Sequence, residues 1–438
     1  MAPELIAVET DTTLPRRADV VIIGGGIAGV STLLALAEKG VSAVLVEKGR
    51  LAGEQSSRNW GFCRTQGRAQ SEVPLALESL RQWDRMDQRV GAEVGFTRAG
   101  ACYLCETPKE VAAYEAWLDK AREWQVQSRI LSPDEVDQVV PGSSRRWAGA
   151  LYTATDGRAE PQRAVPLMAA AARRLGATIV TGCAARGFET TGGRLSAVVT
   201  ERGSIDCNAA VLAGGAWSRL FCGNMGVDFP QLKVLGSVMR TEPISGPPEI
   251  AVAGPDFAFR KRADGGYTVA RRNKYEAFVV PDSFRLLPRF LHTMIETRKE
   301  YRIRLFGRFQ EEWQTKRRWR LDEASPFEAT RVLDPAPNPE IVEESRRNLA
   351  RAFPAFASAK IAESWGGLID TTPDAVPVIG PVHAIPGFFL MSGFSGHGFG
   401  IGPGAGRLMA ELVAGDNPVV DPTPFRFERF GTAGASAH

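Results

Sequence analysis

An apolar run feeding a glycine triplet, a second apolar run ending in an acid, and a later set of alternating, aromatic-rich segments together predict the fold class. They predict an α/β chain with a Rossmann-like dinucleotide-binding domain and a second α+β domain built on an antiparallel sheet. Ala18–Ile23 is almost continuously apolar, as a parallel strand covered on both faces must be. It leads into Gly24-Gly25-Gly26-Ile27-Ala28-Gly29, a G-x-G-x-x-G turn, and small apolar residues continue at helical density to Lys39 before Gly40. A second strand, Ala43–Val46, ends in Glu47. Gly24 permits the tight turn, Gly26 lets the backbone approach a diphosphate, and Gly29 allows close helix–strand packing. The helix start at Ile27 and Ala28 supplies N–H donors and a positive dipole end, and Glu47 can accept from both hydroxyls of a ribose. A lone triplet is only a turn, but here strand, helix and acid all fall where a dinucleotide needs them. The pattern does not separate FAD from NAD.

Farther on, a helix is expected over Gln162–Leu175, with strands near Thr178–Val180, Leu195–Thr200 and Ser204–Cys207. Ala209–Ala213 is a further buried strand, ending in Gly214-Gly215-Ala216-Trp217-Ser218, the kind of strand end at which a parallel sheet holds its ligand. Phe388–Met391 leads to the glycine-dense segment Gly393–Gly400, a backbone nest for negative charge, and a helix is expected from Gly402 to Val413. A second G-x-G-x-x-A at Gly400, Gly402 and Ala405 follows no strand directly, so one dinucleotide is expected. Val238–Thr241, Phe257–Lys261 and Tyr267–Ala270 read as strands of the second domain. The first domain is assigned residues 16–73, 143–222 and 349–430. The second takes 74–142 and 223–348, including a basic helical insert at about 281–325.

Composition narrows the class. The 438 residues carry 53 Lys+Arg and 50 Asp+Glu, a net charge of +3, which argues against nucleic acid as a partner. No apolar run approaches the roughly 18 residues of a spanning helix. Met1–Thr13 holds Glu4, Glu9 and Asp11 and lacks an export signal, so a cytoplasmic protein is expected. The 6 cysteines make no disulfide scaffold in a chain this long. Cys102 and Cys105 form a C-x-x-C on an expected strand, where zinc would need two more ligands; they read as reduced and structural, and no metal site is expected. The tail from Gly431 to His438 reads as disordered.

The chain resembles the family of FAD-dependent amino-acid and amine oxidoreductases that includes D-amino acid oxidase, glycine oxidase and monomeric sarcosine oxidase. The resemblance lies in Gly24–Gly29 with Glu47, Val211–Ser218, Thr372-Pro373-Asp374, Pro377-Val378-Ile379-Gly380 and Gly393–Phe399, in the family's order. It implies an FAD-binding first domain, with the ADP half at Gly24–Gly29, Glu47 and Lys48. The loop holding Ser56, Ser57, Arg58 and Asn59 would run along the diphosphate, beside Ala213, Gly214 and Trp217. Gly393, Gly396, Gly398 and Phe399 would lie at the flavin ring. The same resemblance implies two departures. Trp365-Gly366-Gly367-Leu368 stands where some members carry a flavin-linking cysteine, and residues 53–61 contain no histidine, so FAD is expected to be non-covalent. Thr268 stands where an oxygen-activating lysine is expected, which favours a dehydrogenase passing electrons to a carrier other than oxygen.

Amine oxidation by flavin depends mainly on positioning the substrate, and an arginine fork is the usual clamp for a carboxylate. Arg64, Arg271 and Arg272 are the candidates, with Trp365 as a pocket wall; Cys63 and Trp60 read as packing residues. His397 is the candidate catalytic side chain; the resemblance favours a structural role, with the imidazole bonding locally or lining the ring's edge, and general base is the alternative. The expected reaction is oxidation of the C–N bond of an amino acid or N-alkyl amino acid by hydride transfer to flavin N5, giving an imine that hydrolyses. Oxidation of a hydroxy acid or polyol phosphate, and a flavin-carrying subunit of a larger complex, are the alternatives. The insert from Arg285 to Arg320 is dense in Arg and Lys with interleaved Leu, Ile, Phe and Trp. It reads as a solvated helical addition, or as a surface for peripheral docking to an anionic membrane or an electron acceptor.

Overall fold

Three strands whose every residue is buried, Ala209–Leu212, Val20–Ile23 and Ala43–Val46, lie side by side and parallel. Both of their faces are covered, which is why they read as apolar runs rather than as alternations. Thr178–Val180 adds a parallel strand on one side and Phe388–Ser392 on the other, and Val378–Pro381 closes that edge antiparallel. The computed structural model describes residues 3–431; beyond Gly431, the tail expected to be disordered lies outside the described residues.

The helix Ile27–Glu38 is buried from Ile27 to Ala37, packed against the helices Pro161–Arg174 and Gly398–Ala414. That contact is close because glycines face it. A Cβ at Gly402 would lie 2.4 Å from Ile27 Cγ1, and one at Gly406 2.4 Å from Ser31 Cβ. The late glycine pattern thus serves helix packing, and its helix begins at Gly398 rather than at Gly402. A three-stranded antiparallel meander, Ala185–Thr191, Arg194–Thr200 and Gly203–Asp206, contributes to the other core.

Among the described residues the second sheet has ten strands. It is mixed rather than purely antiparallel: Ala251–Ala253 pairs parallel with Ala101–Cys105, and Tyr275–Phe278 parallel with Tyr301–Arg304. Its longest pairing joins Leu232–Thr241 to Ile361–Thr371. Gly149–Thr153 and Ile361–Thr371, which the boundaries at 143 and 349 would assign to the first domain, hydrogen-bond into this sheet. Gly366 and Gly367 disguise the second of these strands in the sequence. Gly366 is needed because a Cβ there would lie 2.6 Å from Pro335 O, and a Cβ at Gly367 would crowd Arg58 Cβ at 3.2 Å. Cys102 and Cys105 sit in the strand Ala101–Cys105 as free, buried thiols whose pKa values burial pushes up.

The basic insert is not wholly helical. Helices Pro281–Arg285, Leu287–Glu296 and Phe309–Gln314 flank the strand Tyr301–Arg304 in sequence. Most of the large apolar side chains exposed among the described residues lie here, Phe306 at 86% and Trp313 at 67%. No described helix is long and apolar enough to cross a membrane.

Candidate active site

A cavity of about 680 Å³ runs from the glycine turn to the insert. Gly26, Ile27 and Ala28 line it at the helix start, followed by Ser56, Arg58 and Asn59, then Ala213, and then Gly396, His397, Gly398 and Phe399. Arg64, Arg271 and Arg272 also reach it, and Phe290 and Met294 bring the insert's helix to its wall.

The residues of the turn divide into those that shape it and those that face the cavity. Gly24 has φ +114°, and a Cβ there would lie 2.4 Å from Ala213 O. A Cβ at Gly29 would meet Gly24 O at 2.0 Å. Both glycines are therefore demanded by packing. Gly26 is the one open to the cavity, and there the Ser56 hydroxyl accepts from Ile27 N at 2.8 Å. Glu47 accepts from Gly25 N and Gly49 N, each at 2.7 Å, and burial raises its pKa. Those bonds fix the carboxylate beside the turn and leave further lone pairs on each oxygen for a ribose, although Glu47 itself stands outside the cavity lining. The open cradle at Gly26, the helix N-terminus and the anchored acid fit the adenosine and diphosphate of FAD.

Other expected cofactor contacts are engaged elsewhere. Lys48 Nζ donates to Glu54 Oε1 at 2.8 Å, Thr330 O at 2.8 Å and Arg331 O at 3.0 Å, tying down the segment after the insert. Trp217 Nε1 also donates to Glu54, at 3.0 Å, and Ser57 Oγ donates to Glu54 O. None of these three, nor Gly214, lines the cavity. Glu54, an acid the sequence reading passed over, organises this corner. Arg58 is buried and donates to Asp334 at 2.7 Å, Gly366 O at 2.8 Å and Gly53 O at 3.2 Å, so it pins its loop against the second sheet.

The glycine–histidine loop hangs from Asp370. This buried carboxylate accepts from Gly393 N at 2.7 Å, Gln231 Nε2 at 2.9 Å and Ser392 Oγ at 3.2 Å, and burial raises its pKa. Gly393 is packed rather than exposed to the cavity: a Cβ there would meet Thr372 Cγ2 at 2.3 Å. His397 precedes the helix Gly398–Ala414, half-buried, with Nδ1 3.4 Å from Oε2 of the fully buried Glu72.

The three arginines are not equivalent. Arg271 Nε donates to Glu344 at 3.1 Å, so its charge is met. Arg272 donates to Gly254 O at 3.2 Å and Tyr114 Oη at 3.0 Å and lies 4.5 Å over the Tyr103 ring. Arg64 donates to Gln66 O and lies 5.2 Å over the same ring. Neither Arg64 nor Arg272 has an ion-pair partner among the described residues. The backbone that carries Arg64 is held by Asp156, whose Oδ1 accepts from Thr65 N and Oγ1 at 2.8 Å; burial raises its pKa to about 6.

Two expectations change. Trp365 is 1% exposed, donates to Arg58 O at 3.0 Å and does not line the cavity, so it packs instead of forming a substrate wall. Thr268 is buried in the strand Tyr267–Ala270 and accepts from Arg262; it does not reach the cavity either. The lysines that do reach it are Lys233 and Lys274, engaged by Glu312 and Glu344. Position 268 therefore carries no argument about oxygen.

Comparison with known proteins identifies the family. The family model described as FAD dependent oxidoreductase (DAO) matches residues 19–412. The structure of L-amino acid deaminase from Proteus myxofaciens in complex with anthranilate has a TM-score of 0.94 and 35% identity, covering 98% of this chain and 97% of that one. L-amino acid deaminase from Proteus vulgaris has a TM-score of 0.92 and 33% identity over 96% and 99%, whereas the form of that enzyme with its specific insertion sequence deleted has a TM-score of 0.77. Sarcosine oxidase subunit beta of Arthrobacter sp is 26% identical over 431 residues, 95% of this chain and 92% of that one.

Proposed function

The chain belongs to the FAD dependent oxidoreductase (DAO) family and is an FAD-dependent enzyme, and from that premise we propose that it oxidises the C–N bond of an L-amino acid with an apolar side chain. Bound FAD supplies a two-electron acceptor for hydride from the carbon beside nitrogen, leaving an imine that hydrolyses to a 2-oxo acid and ammonia. The chain's residues would orient that carbon and exclude water. The observation carrying the reading is the pair Arg64 and Arg272, two guanidiniums without carboxylate partners beside one cavity-lining ring. Such charges are costly in a half-buried wall unless an anion meets them, and a substrate carboxylate fits their forks. Tyr275, Phe278, Phe290 and Met294 offer the side chain an apolar surround. Handedness is taken from the Proteus deaminases, because the likeness to them extends through the insert.

Anaerobic mixing with a panel of L-, D- and N-methyl amino acids and hydroxy acids tests this: L-amino acids should bleach the flavin absorbance. Bleaching by N-methyl amino acids alone would move the substrate class toward that of the sarcosine oxidase relative. FAD is held non-covalently in this reading, so acid precipitation should leave the flavin in the supernatant.

A second reading, a flavin subunit that passes electrons to a partner, is favoured by the insert. Phe284, Leu291, Ile295, Phe306 and Trp313 are exposed among Arg285, Arg289, Arg298 and Arg302. Exposed apolar side chains in an arginine-rich segment, where Arg285, Arg289 and Arg302 pair with Asp282, Asp228 and Glu340, suit peripheral contact with an anionic membrane that holds the electron acceptor. Co-sedimentation with anionic but not neutral vesicles is the expected result, and no binding to either would remove it.

A further inference from the structure

We propose that His397 takes a proton from the substrate's ammonium group, with the buried carboxylate of Glu72 as the positioning residue behind it. The proposal rests on the reading of the chain as an amino-acid oxidoreductase. Amino acids arrive as ammonium ions, and the nitrogen lone pair must be free before the neighbouring carbon gives up hydride. In the step proposed, an N–H bond of the substrate breaks, its electron pair stays on nitrogen, and an Nε2–H bond forms on His397. No electrons change hands.

The geometry points to this pair. His397 lines the cavity, whereas Glu72 lies behind it in the short turn Gln70–Glu72, its side chain 1% exposed. Glu72 Oε2 is 3.4 Å from His397 Nδ1. Neither Glu72 oxygen, nor Nδ1, has a hydrogen-bond partner among the described residues. A buried carboxylate left bare is expensive, and the imidazole N–H is the donor placed to relieve it. Such bonds are often long before substrate binds and tighten afterward. With Nδ1–H directed at Glu72, the tautomer carries its lone pair on Nε2, the nitrogen that can then accept.

The charged groups facing His397 are Glu72, Arg68 and Arg64. Burial, with Arg68 and Arg64, holds the imidazole below its ordinary pKa against the pull of Glu72, so it is neutral and ready to accept. Burial would raise the pKa of Glu72, but His397, Arg68 and Arg64 outweigh it and keep the carboxylate ionised. Arg64 belongs both to this group and to the proposed carboxylate clamp. An amino acid carries its two charged groups on one carbon, so a carboxylate held there leaves its ammonium group close by.

The chain has 4 histidines, so ¹⁵N-histidine labelling of the holoprotein can resolve the tautomer directly. The result expected is Nδ1–H for His397; Nε2–H overturns the proposal without bearing on whether amino acids are substrates. In rapid mixing under anaerobic conditions, His397→Asn should slow flavin reduction about a hundredfold at neutral pH. That loss should fade as rising pH deprotonates the substrate in solution. A deficit that stays constant with pH means a structural role and overturns the proposal. Glu72→Gln should move the acid limb of the wild-type rate profile down by about one unit; an unmoved limb also overturns it. If Glu72→Gln fails to hold FAD, the wild-type tautomer and the His397→Asn profile still decide. Absence of bleaching by any amino acid would fail the functional reading, a result the tautomer measurement does not mimic.

Discussion

Replacing Arg272 by Met separates the two classes of arginine in the cavity wall. Arg272 spends two of its donors on Gly254 O and Tyr114 Oη and has no ion pair among the described residues, Glu300 standing near it without contact, whereas Arg271 already meets Glu344. Loss of a charge-assisted fork in a half-buried site costs about 3 kcal/mol. That corresponds to roughly a hundredfold weaker binding of a carboxylate ligand. An aromatic carboxylate such as anthranilate, which offers the clamp a carboxylate but has no hydrogen on the carbon beside nitrogen to give up, is a suitable probe. Its titration into the FAD-loaded protein can be followed by the perturbation of the flavin spectrum. Arg272→Met should raise the dissociation constant about a hundredfold, and Arg271→Met less than about threefold, because the Arg271 charge is committed to Glu344. Arg272→Lys keeps the charge without the planar fork and should fall between. FAD content measured in parallel reports whether each variant still folds. Equal effects at 271 and 272, or none at 272, would refute the assignment of the clamp.

Other consequences follow from the same geometry. Asp156, raised by burial to about 6 against an ordinary 3.8, binds more protons folded than unfolded between those values. It should therefore make stability fall as pH rises from about 4 to 6, by at most about 3 kcal/mol, and leave it level above. Asp156→Asn should remove that slope, so the melting temperature of the variant relative to wild type should climb across this range; a flat difference contradicts it. Gly29→Ala should abolish FAD binding, because its Cβ would sit 2.0 Å from the backbone oxygen of Gly24. Gly223→Ala, in a helix with nothing within 4 Å, should retain FAD and gain up to about 1 kcal/mol. Replacing Phe306 and Trp313 together by Ser should weaken co-sedimentation with anionic vesicles while leaving flavin reduction by amino acids unchanged.

The stretch from Ala18 to Glu47 was legible because each position answers a separate physical demand: burial on two faces, a close backbone approach, a helix start, an acid at a strand end. Adjacency misled elsewhere. Lys48 follows Glu47, Ser57 follows the cavity-lining Ser56 and Trp217 stands two residues after the cavity-lining Gly215, yet their hydrogen bonds run to Glu54 and the 330–331 segment. The strand Ile361–Thr371 was hidden by its glycines, and the strand Tyr301–Arg304 by the charges around it. Among the arginines, the sequence offers no means of separating 271 from 272, because Glu344 lies in the distant helix Pro339–Ala352. Glu54, Glu72, Asp156 and Asp370 carry no local signal at all. Each acts through burial and partners that only the folded chain brings together.

The most direct test of the account is the anaerobic absorbance of the purified, FAD-loaded protein on adding apolar L-amino acids. The account predicts a yellow protein whose flavin band bleaches with L-amino acids and not with the matching hydroxy acids. A protein that stays colourless after incubation with excess FAD, or a flavin bleached by hydroxy acids alone, would contradict it.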